Sequence, residues 1–430
     1  MISDKTLLKI IWAISIALLF PLFFQLSGGI YNSFAPIVDS GGLLAKLPLP
    51  ISIIACFGGI LVFKNNYKRA FLAFSLLIGM LVAMLASLFF AGAVFDIQYG
   101  KIILLCQCIL PVFGLMLGQM VIDNEKIVPK AFLYVLLLVV PIQLIATFSA
   151  GSLTLTHNLY LFSIYQHFQY VPLIFVCAFA YAMVNLWDSH IKIFYVLTPL
   201  MFVYAIASIS FLTIIAFVGF VAFFAYTKLR TYVNKIIAIL IIIMGVMFLA
   251  VGMQAYFGIA KNYTSIGRMQ SSSTRLTADG SQYVGKIQTL SDGKTPANVL
   301  ERFEIWKLYE SRITESTKTL ILGHDAPLPR EVRTSAHNWY LDMIYNFGLI
   351  SVIPTFLLIA YTSHLAWQLK EKLPNETLWL VAIVFYLVVV DNNLKVTLRQ
   401  PYPGIFAYFL WGLLLSKLIY RRDEAKASFQ

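Results

Sequence analysis

Charge is scarce in this sequence. Lys, Arg, Asp and Glu make up 12% of its 430 residues, hydrophobic residues make up 60%, and the mean hydropathy is +0.80. A chain of that composition does not solvate a folded surface in water, so the bilayer is its main solvent. Cysteine is scarce too. Cys56, Cys106, Cys108 and Cys177 all fall inside apolar runs, where a thiol behaves as a small hydrophobe. Disulfides and a cysteine metal site are therefore not expected. The sequence has no glycine-rich phosphate loop, no paired carboxylates and no histidines at zinc spacing, so no metal, nucleotide or other cofactor is expected. The net charge of +12 is spread over short loops, which argues against a nucleic-acid partner.

What is abundant is apolar runs. Stretches long enough to cross about 30 Å of hydrocarbon lie at 7–26, 47–63, 70–95, 101–121, 131–149, 168–187, 193–209, 210–227, 236–254, 341–366, 377–394 and 402–419. The fold expected is an all-α polytopic bundle of about twelve transmembrane helices. The first run lacks a small-residue cleavage site and reads as a retained helix. With twelve crossings both termini share one side, and the basic loops fall on that side: Lys64, Lys68 and Arg69; Lys126 and Lys130; Lys228, Arg230 and Lys235; Lys370 and Lys372; Arg421 and Arg422. The intervening short loops hold only Lys46, Lys101, Lys395 and Arg399. The positive-inside rule then places both termini in the cytoplasm.

The same alternation puts the one long loop, 255–340, on the external face. The organisation expected is nine helices over 1–254, that loop over 255–340, and three helices with a tail over 341–430. The loop's first half, with the Ser271–Ser272–Ser273–Thr274 run and breaks at Gly280 and Gly293, lacks periodicity. Beyond Pro296 the apolar residues Val299, Leu300, Phe303, Trp306, Tyr309 and Ile313 repeat at three- and four-residue spacing, which predicts an amphipathic helix on the bundle or the interface.

The apolar runs contain almost no ionisable groups, whereas an ion-coupled transporter keeps such groups at the bilayer midplane. The unusual polar residues gather at the external boundary instead. Gly323–His324–Asp325 leads through Arg330 and Arg333 to His337 and Asn338, where the tenth helix begins. An imidazole titrating near about pH 6.5 can take a proton from a hydroxyl nucleophile; the plainer role for His337 is a helix cap. The Arg302 guanidinium offers a fixed fork of donors for a diphosphate, or is simply a solvated charge on its helix. Arg399 either pairs with Asp391 or completes a phosphate clamp. Tyr165, Gln166, His167 and Gln169, in a second external segment at 150–168, suit sugar contacts or an aromatic belt at headgroup level.

At these residues the sequence resembles the O-antigen ligase and O-antigen polymerase superfamily of bacterial membrane glycosyltransferases. Three stretches carry the resemblance in order: Arg302-Phe-Glu-Ile-Trp306; Leu322-Gly323-His324; and His337-Asn338-Trp339-Tyr340-Leu341 with Gly348. One family feature is missing, because Ser208-Ile-Ser210-Phe211 lacks the Ser-Arg expected there; Arg399, Arg268 or Arg275 is the candidate replacement.

The resemblance implies a GT-C-like bundle in the bacterial inner membrane that moves a glycan from undecaprenyl diphosphate to an acceptor hydroxyl at the periplasmic face, metal-independently and with inversion. His337 and Arg302 are then the catalytic pair, with Arg333, Arg399, Asn338, His324, Arg268, Arg275 and His167 as substrate-binding candidates. A ligase takes the lipid A core as acceptor, in lipopolysaccharide biosynthesis; a polymerase takes another lipid-linked glycan. From another class, a lipid-linked oligosaccharide transporter fits the helix count, although neither internal pseudo-symmetry nor a buried polar path is visible in the sequence.

Overall fold

The computed structural model describes residues 4–19, 23–25, 29–30, 49–90, 95–121, 126–149, 153, 155, 170–208, 210–270, 297–326, 328 and 335–427. Apart from three antiparallel strands of two or three residues around Phe23–Gln25, regular structure in them is helical. Among the described residues nine helices are long and apolar enough to cross a membrane. The first two predicted runs form shorter helices, α1 (Asp4–Leu19) and α2 (Ile51–Val62). The chain divides into two compact units, residues 1–131 with 301–430, and residues 132–300. Those cuts differ from the expected boundaries at 254 and 340.

The first unit is built on a close pair. α3 (Phe71–Phe90) and α4 (Phe95–Ile109) lead into α5 (Val112–Met120). α5 lies against α15 (Pro401–Ala427) so tightly that a Cβ at Gly114 or Gly118 would overlap the Ile405 or Phe409 carbonyl, and one at Gly412 the Leu115 carbonyl. Small residues at four-residue spacing let membrane helices approach in this way, where lipid itself gives apolar faces no drive to associate. α3 and α13 (Leu349–Leu369) pack alongside in opposite senses, with Gly79 against Pro354. α14 (Asn375–Phe385) continues through a π-helical turn, Tyr386–Asp391, to Leu394.

The two ends of this unit differ. One carries the basic segments Lys64–Ala70, Lys370–Lys372 and Arg421–Arg422, with the Asn66 side chain on the Met120 carbonyl. The other gathers Ser87, Gly323, Gly348 and the 395–400 turn.

The predicted tenth helix does not begin at 341. A short helix, α12 (Trp339–Phe347), comes first and breaks at Gly348. With φ of +77° Gly348 closes α12, and a Cβ there would overlap the Ile321 carbonyl at the end of α11 (Thr317–Leu322). At Gly323, φ +80°, a Cβ would in turn overlap the Asn346 and Gly348 backbone. Two helix C-termini thus cross at two glycines, a geometry no side chain permits.

The second unit holds most of α6 (Ile127–Ser149), and α7 (Val171–Ala207), α8 (Phe211–Leu229) and α9 (Lys235–Gln270). The two predicted runs at 168–187 and 193–209 are joined in α7, whose backbone breaks from helical angles at His190. The Phe175 and Tyr204 rings stack at 5.5 Å, whereas a straight helix would hold them about 43 Å apart. The chain therefore turns back on itself at Asp188–Ser189–His190, and α7 is two antiparallel helices. Asp188 pairs with Lys228 at 2.8 Å, tying that turn to the end of α8. At the opposite end the Leu155 N–H donates to the Ala207 carbonyl. This up-and-down order agrees with the predicted alternation of the loops.

Candidate functional site

The predicted amphipathic helix is α10 (Ala297–Ile313). It buries Ile305, Tyr309 and Ile313, spaced four apart, against Ala336 and Tyr345. Leu300 and Phe303, expected on the apolar stripe, are about half exposed (53% and 52%), because the buried stripe is rotated from the one read in the sequence. Trp306 lies beside the stripe, and its indole Nε1 donates to the Ala336 carbonyl at 3.0 Å. Arg302 precedes Trp306 by one turn, on the same side of the helix. The helix therefore delivers Arg302 about 6 Å along its axis from a direct contact with the residue before His337.

The backbone around His337 is held by side chains. The Asp342 carboxylate accepts the Ala336 N–H at 2.8 Å, and Ser335 Oγ accepts the His337 N–H at 3.0 Å. Asn338 caps α12, its side-chain oxygen accepting the Tyr340 and Leu341 N–H groups. Its Nδ2 donates to Asn393 Oδ1 at 3.3 Å. His337 itself sits at φ +50°, the one non-glycine residue at positive φ among the described residues. An L-residue there costs about 1–2 kcal/mol, and such strain gathers at functional sites. His337 is partly exposed, while Ser335, Ala336, Asn338, Trp339 and Tyr340 on either side of it are buried.

Arg399 does not pair with Asp391. It reaches across to Asp342, whose side chain is 2% exposed. Asp391 instead pairs with Lys395 at 3.1 Å and accepts from the Thr397 hydroxyl, fully buried. The Tyr309 phenol lies within electrostatic reach of Asp342. Burial first, then the carboxylate beside it, raises the Tyr309 phenol pKa far above its ordinary value, so this hydroxyl stays a donor. The Tyr340 phenol, raised by burial to about 12, donates to the Val388 carbonyl at 2.9 Å on the π-helical turn.

His324 stands apart from this cluster. Its ring stacks on Tyr345 at 4.3 Å, its Nε2 lies 2.9 Å from the Arg312 carbonyl, and its N–H donates to the Tyr345 carbonyl. His324 is thus bound up in holding α10, α11 and α12 together. His167, Arg275, Arg330, Arg333 and the Arg268 side chain lie outside the described residues.

The sequence reading missed two residues. Asp342 stands in a largely apolar helix, WYLDMIYNF, four residues after the cap, where an acid in the first turn is ordinarily a solvated partner of the helix dipole. Lys101, in α4, looked like a loop charge, yet it is 0% exposed. Its ammonium donates to Ser87 Oγ at 3.4 Å and lies 5.6 Å from the centre of the Phe347 ring. Ser87 in turn donates to the Leu322 carbonyl, so Lys101 backs the negative ends of the crossed helices α11 and α12. With Lys101, Asp342, Asp391 and Lys395 all buried, the expectation of almost no ionisable groups in the interior is corrected.

Among the described residues no three His, Cys, Asp or Glu side chains cluster as metal ligands would. Compared with known proteins, the chain matches no family model and no curated sequence.

Proposed function

We propose that this protein is a membrane glycosyltransferase of the O-antigen ligase and polymerase type, moving a glycan from undecaprenyl diphosphate to an acceptor hydroxyl. The observation that carries the reading is the His337 turn. The backbone turn that carries the partly exposed His337 is strained in φ and is held by Trp306, Ser335 and Asp342, with Arg302 one helical turn from the Trp306 contact. Preorganisation of that kind serves a base that must meet a hydroxyl at fixed distance. In the reaction the acceptor oxygen bonds the anomeric carbon, the bond to the diphosphate breaks with inversion, and the hydroxyl proton passes to His337. Arg302, together with Arg333 among the candidates read from the sequence, disperses the charge on the leaving diphosphate.

Supporting features lie along the same helices. Counting α1, α2 and both halves of α7 with the other eight candidate helices gives twelve crossings. The basic end of the first unit then faces the cytoplasm and the His337 end faces the periplasm. A small pocket lined by Ile359, Thr362, Val384, Val388 and Trp411 is predominantly apolar. It suits a short stretch of the hydrocarbon tail of a lipid-linked donor. The acceptor is assigned as the lipid A core, a lipid-linked glycan being the polymerase alternative.

The transporter reading draws one point of support, the buried Asp391–Lys395 pair, since ionisable residues within spans often mark transport paths. The test separates the two. In liposomes supplied with lipid-linked glycan and acceptor, His337→Ala lowers transfer at least about a hundredfold, and Arg302→Ala lowers it comparably. Full transfer in both variants eliminates the enzyme reading, and glycan crossing the bilayer without any new glycosidic bond establishes transport.

A further inference from the structure

Asp342 is the point at which three parts of the first unit meet: its own helix α12, the Ala336 segment and the Arg399 turn. It takes the Ala336 N–H on Oδ1 and the Arg399 guanidinium on Oδ2. A carboxylate in the first turn of a helix ordinarily stands in water and interacts with the dipole. This one is nearly inaccessible, so its charge must be met by groups within the protein. Those groups are the supports of His337. The Ala336 N–H is held by Asp342, the Ala336 carbonyl by Trp306 and the His337 N–H by Ser335, so three consecutive backbone polar groups leading into the left-handed His337 are each held by a side chain.

We propose that Asp342 is the positioning residue of the His337 turn, and that Arg399 serves as the counter-ion of Asp342 and not as a contact to substrate. The inference rests on the glycosyltransferase reading for its kinetic consequence, but its structural content stands apart from it. Arg399 is fixed by a 3-10 turn, Thr397–Arg399, that the Asn392 side chain anchors through the Leu398 N–H at 3.0 Å. The guanidinium is thereby delivered from the far side of α12, and its side chain is 13% exposed. Loss of charge on Asp342 would leave that guanidinium buried against an amide, donor facing donor, and would loosen the Ala336 N–H and with it the imidazole.

The neutral pair Asp342→Asn with Arg399→Gln restores complementarity, because the Asn amide can donate to the Gln oxygen while its own oxygen keeps the Ala336 N–H. The expected kinetics follow. Asp342→Asn alone lowers kcat about a hundredfold, the scale of a misplaced catalytic group, with KM for the lipid-linked donor changed less than about threefold. Adding Arg399→Gln recovers at least about tenfold of the loss. A purely structural role would not produce this split or this rescue. A direct contact of Arg399 with the diphosphate predicts the reverse, a further loss in the double variant together with a raised KM, and would overturn the proposal.

A second measurement does not depend on activity. The rate of carbethoxylation of His337 by diethylpyrocarbonate, read by peptide mass spectrometry on the full-length protein in detergent, shifts several-fold in Asp342→Asn and returns towards wild type in the double variant. Unchanged reactivity in Asp342→Asn would overturn the positioning role. If the wild-type protein transfers no glycan, the proposed function fails while this arm still judges the role of Asp342.

Discussion

His337 occupies a conformation that glycine or asparagine would hold more cheaply. At φ +50° its Cβ crowds the backbone, and the penalty remains for any other side chain placed there. This reverses an ordinary preference, since alanine usually exceeds glycine in stability by about 0.5–1 kcal/mol through the greater freedom of glycine in the unfolded chain. Here His337→Gly is expected to be more stable than His337→Ala, by about 1 kcal/mol, with both variants inactive in transfer. Melting of the two variants in the same detergent measures the difference. An alanine variant as stable as the glycine one would mean that the turn relaxes when the imidazole is removed, and that the strain belongs to the ring's contacts and not to the backbone.

At the scale of elements, the crossing of α11 and α12 is the most constrained feature of the first unit. Gly348 combines positive φ with a position where a Cβ would strike the Ile321 carbonyl. Gly348→Ala is therefore expected to cost about 3 kcal/mol or more and to displace Tyr345, on which the His324 ring stacks. Gly245 in α9 is the opposite case: a methyl group added there would meet nothing within 4 Å. Gly245→Ala should leave stability unchanged or raise it by up to about 1 kcal/mol. Thermal unfolding of the two variants against wild type checks both signs.

These elements also show how far the sequence could be read. Hydropathy located the long apolar helices, because crossing hydrocarbon demands the same apolar length wherever a helix packs. It also separated the halves of α7 that the backbone joins through His190. The break at Gly348 escaped, since apolar residues continue on both sides of it and only its φ marks the end of α12. The arginine and histidine motifs pointed to one locality, and Trp306 does reach the residue before His337. The pairing of Arg399 with Asp342, rather than with the nearer Asp391, was not legible. Partners 57 residues apart in the chain are set by how helices pack, and nothing in local spacing encodes them. The burial of Lys101 escaped for the same reason.

For the whole molecule, the separation of basic residues from the His337 site makes orientation testable within one compact unit. Glu315 is exposed in the turn between α10 and α11, beside Arg312, whose carbonyl contacts His324. Glu371 is exposed between Lys370 and Lys372, just beyond the other end of α13. In the proposed orientation the lysines and arginines hold that second end in the cytoplasm, since such residues resist translocation. The inner-leaflet surface adds to this by attracting each such cation with about 1 kcal/mol. A cysteine replacing Glu315 should therefore react with a membrane-impermeant maleimide once the outer membrane is opened. One replacing Glu371 should react only after the inner membrane is breached as well. Cys56, Cys108 and Cys177 are buried, and Cys106 is partly so, so wild type serves as the background. Labelling in the opposite order would put the imidazole on the cytosolic side, where a periplasmic acceptor is never met, and the glycosyltransferase reading would fail with it.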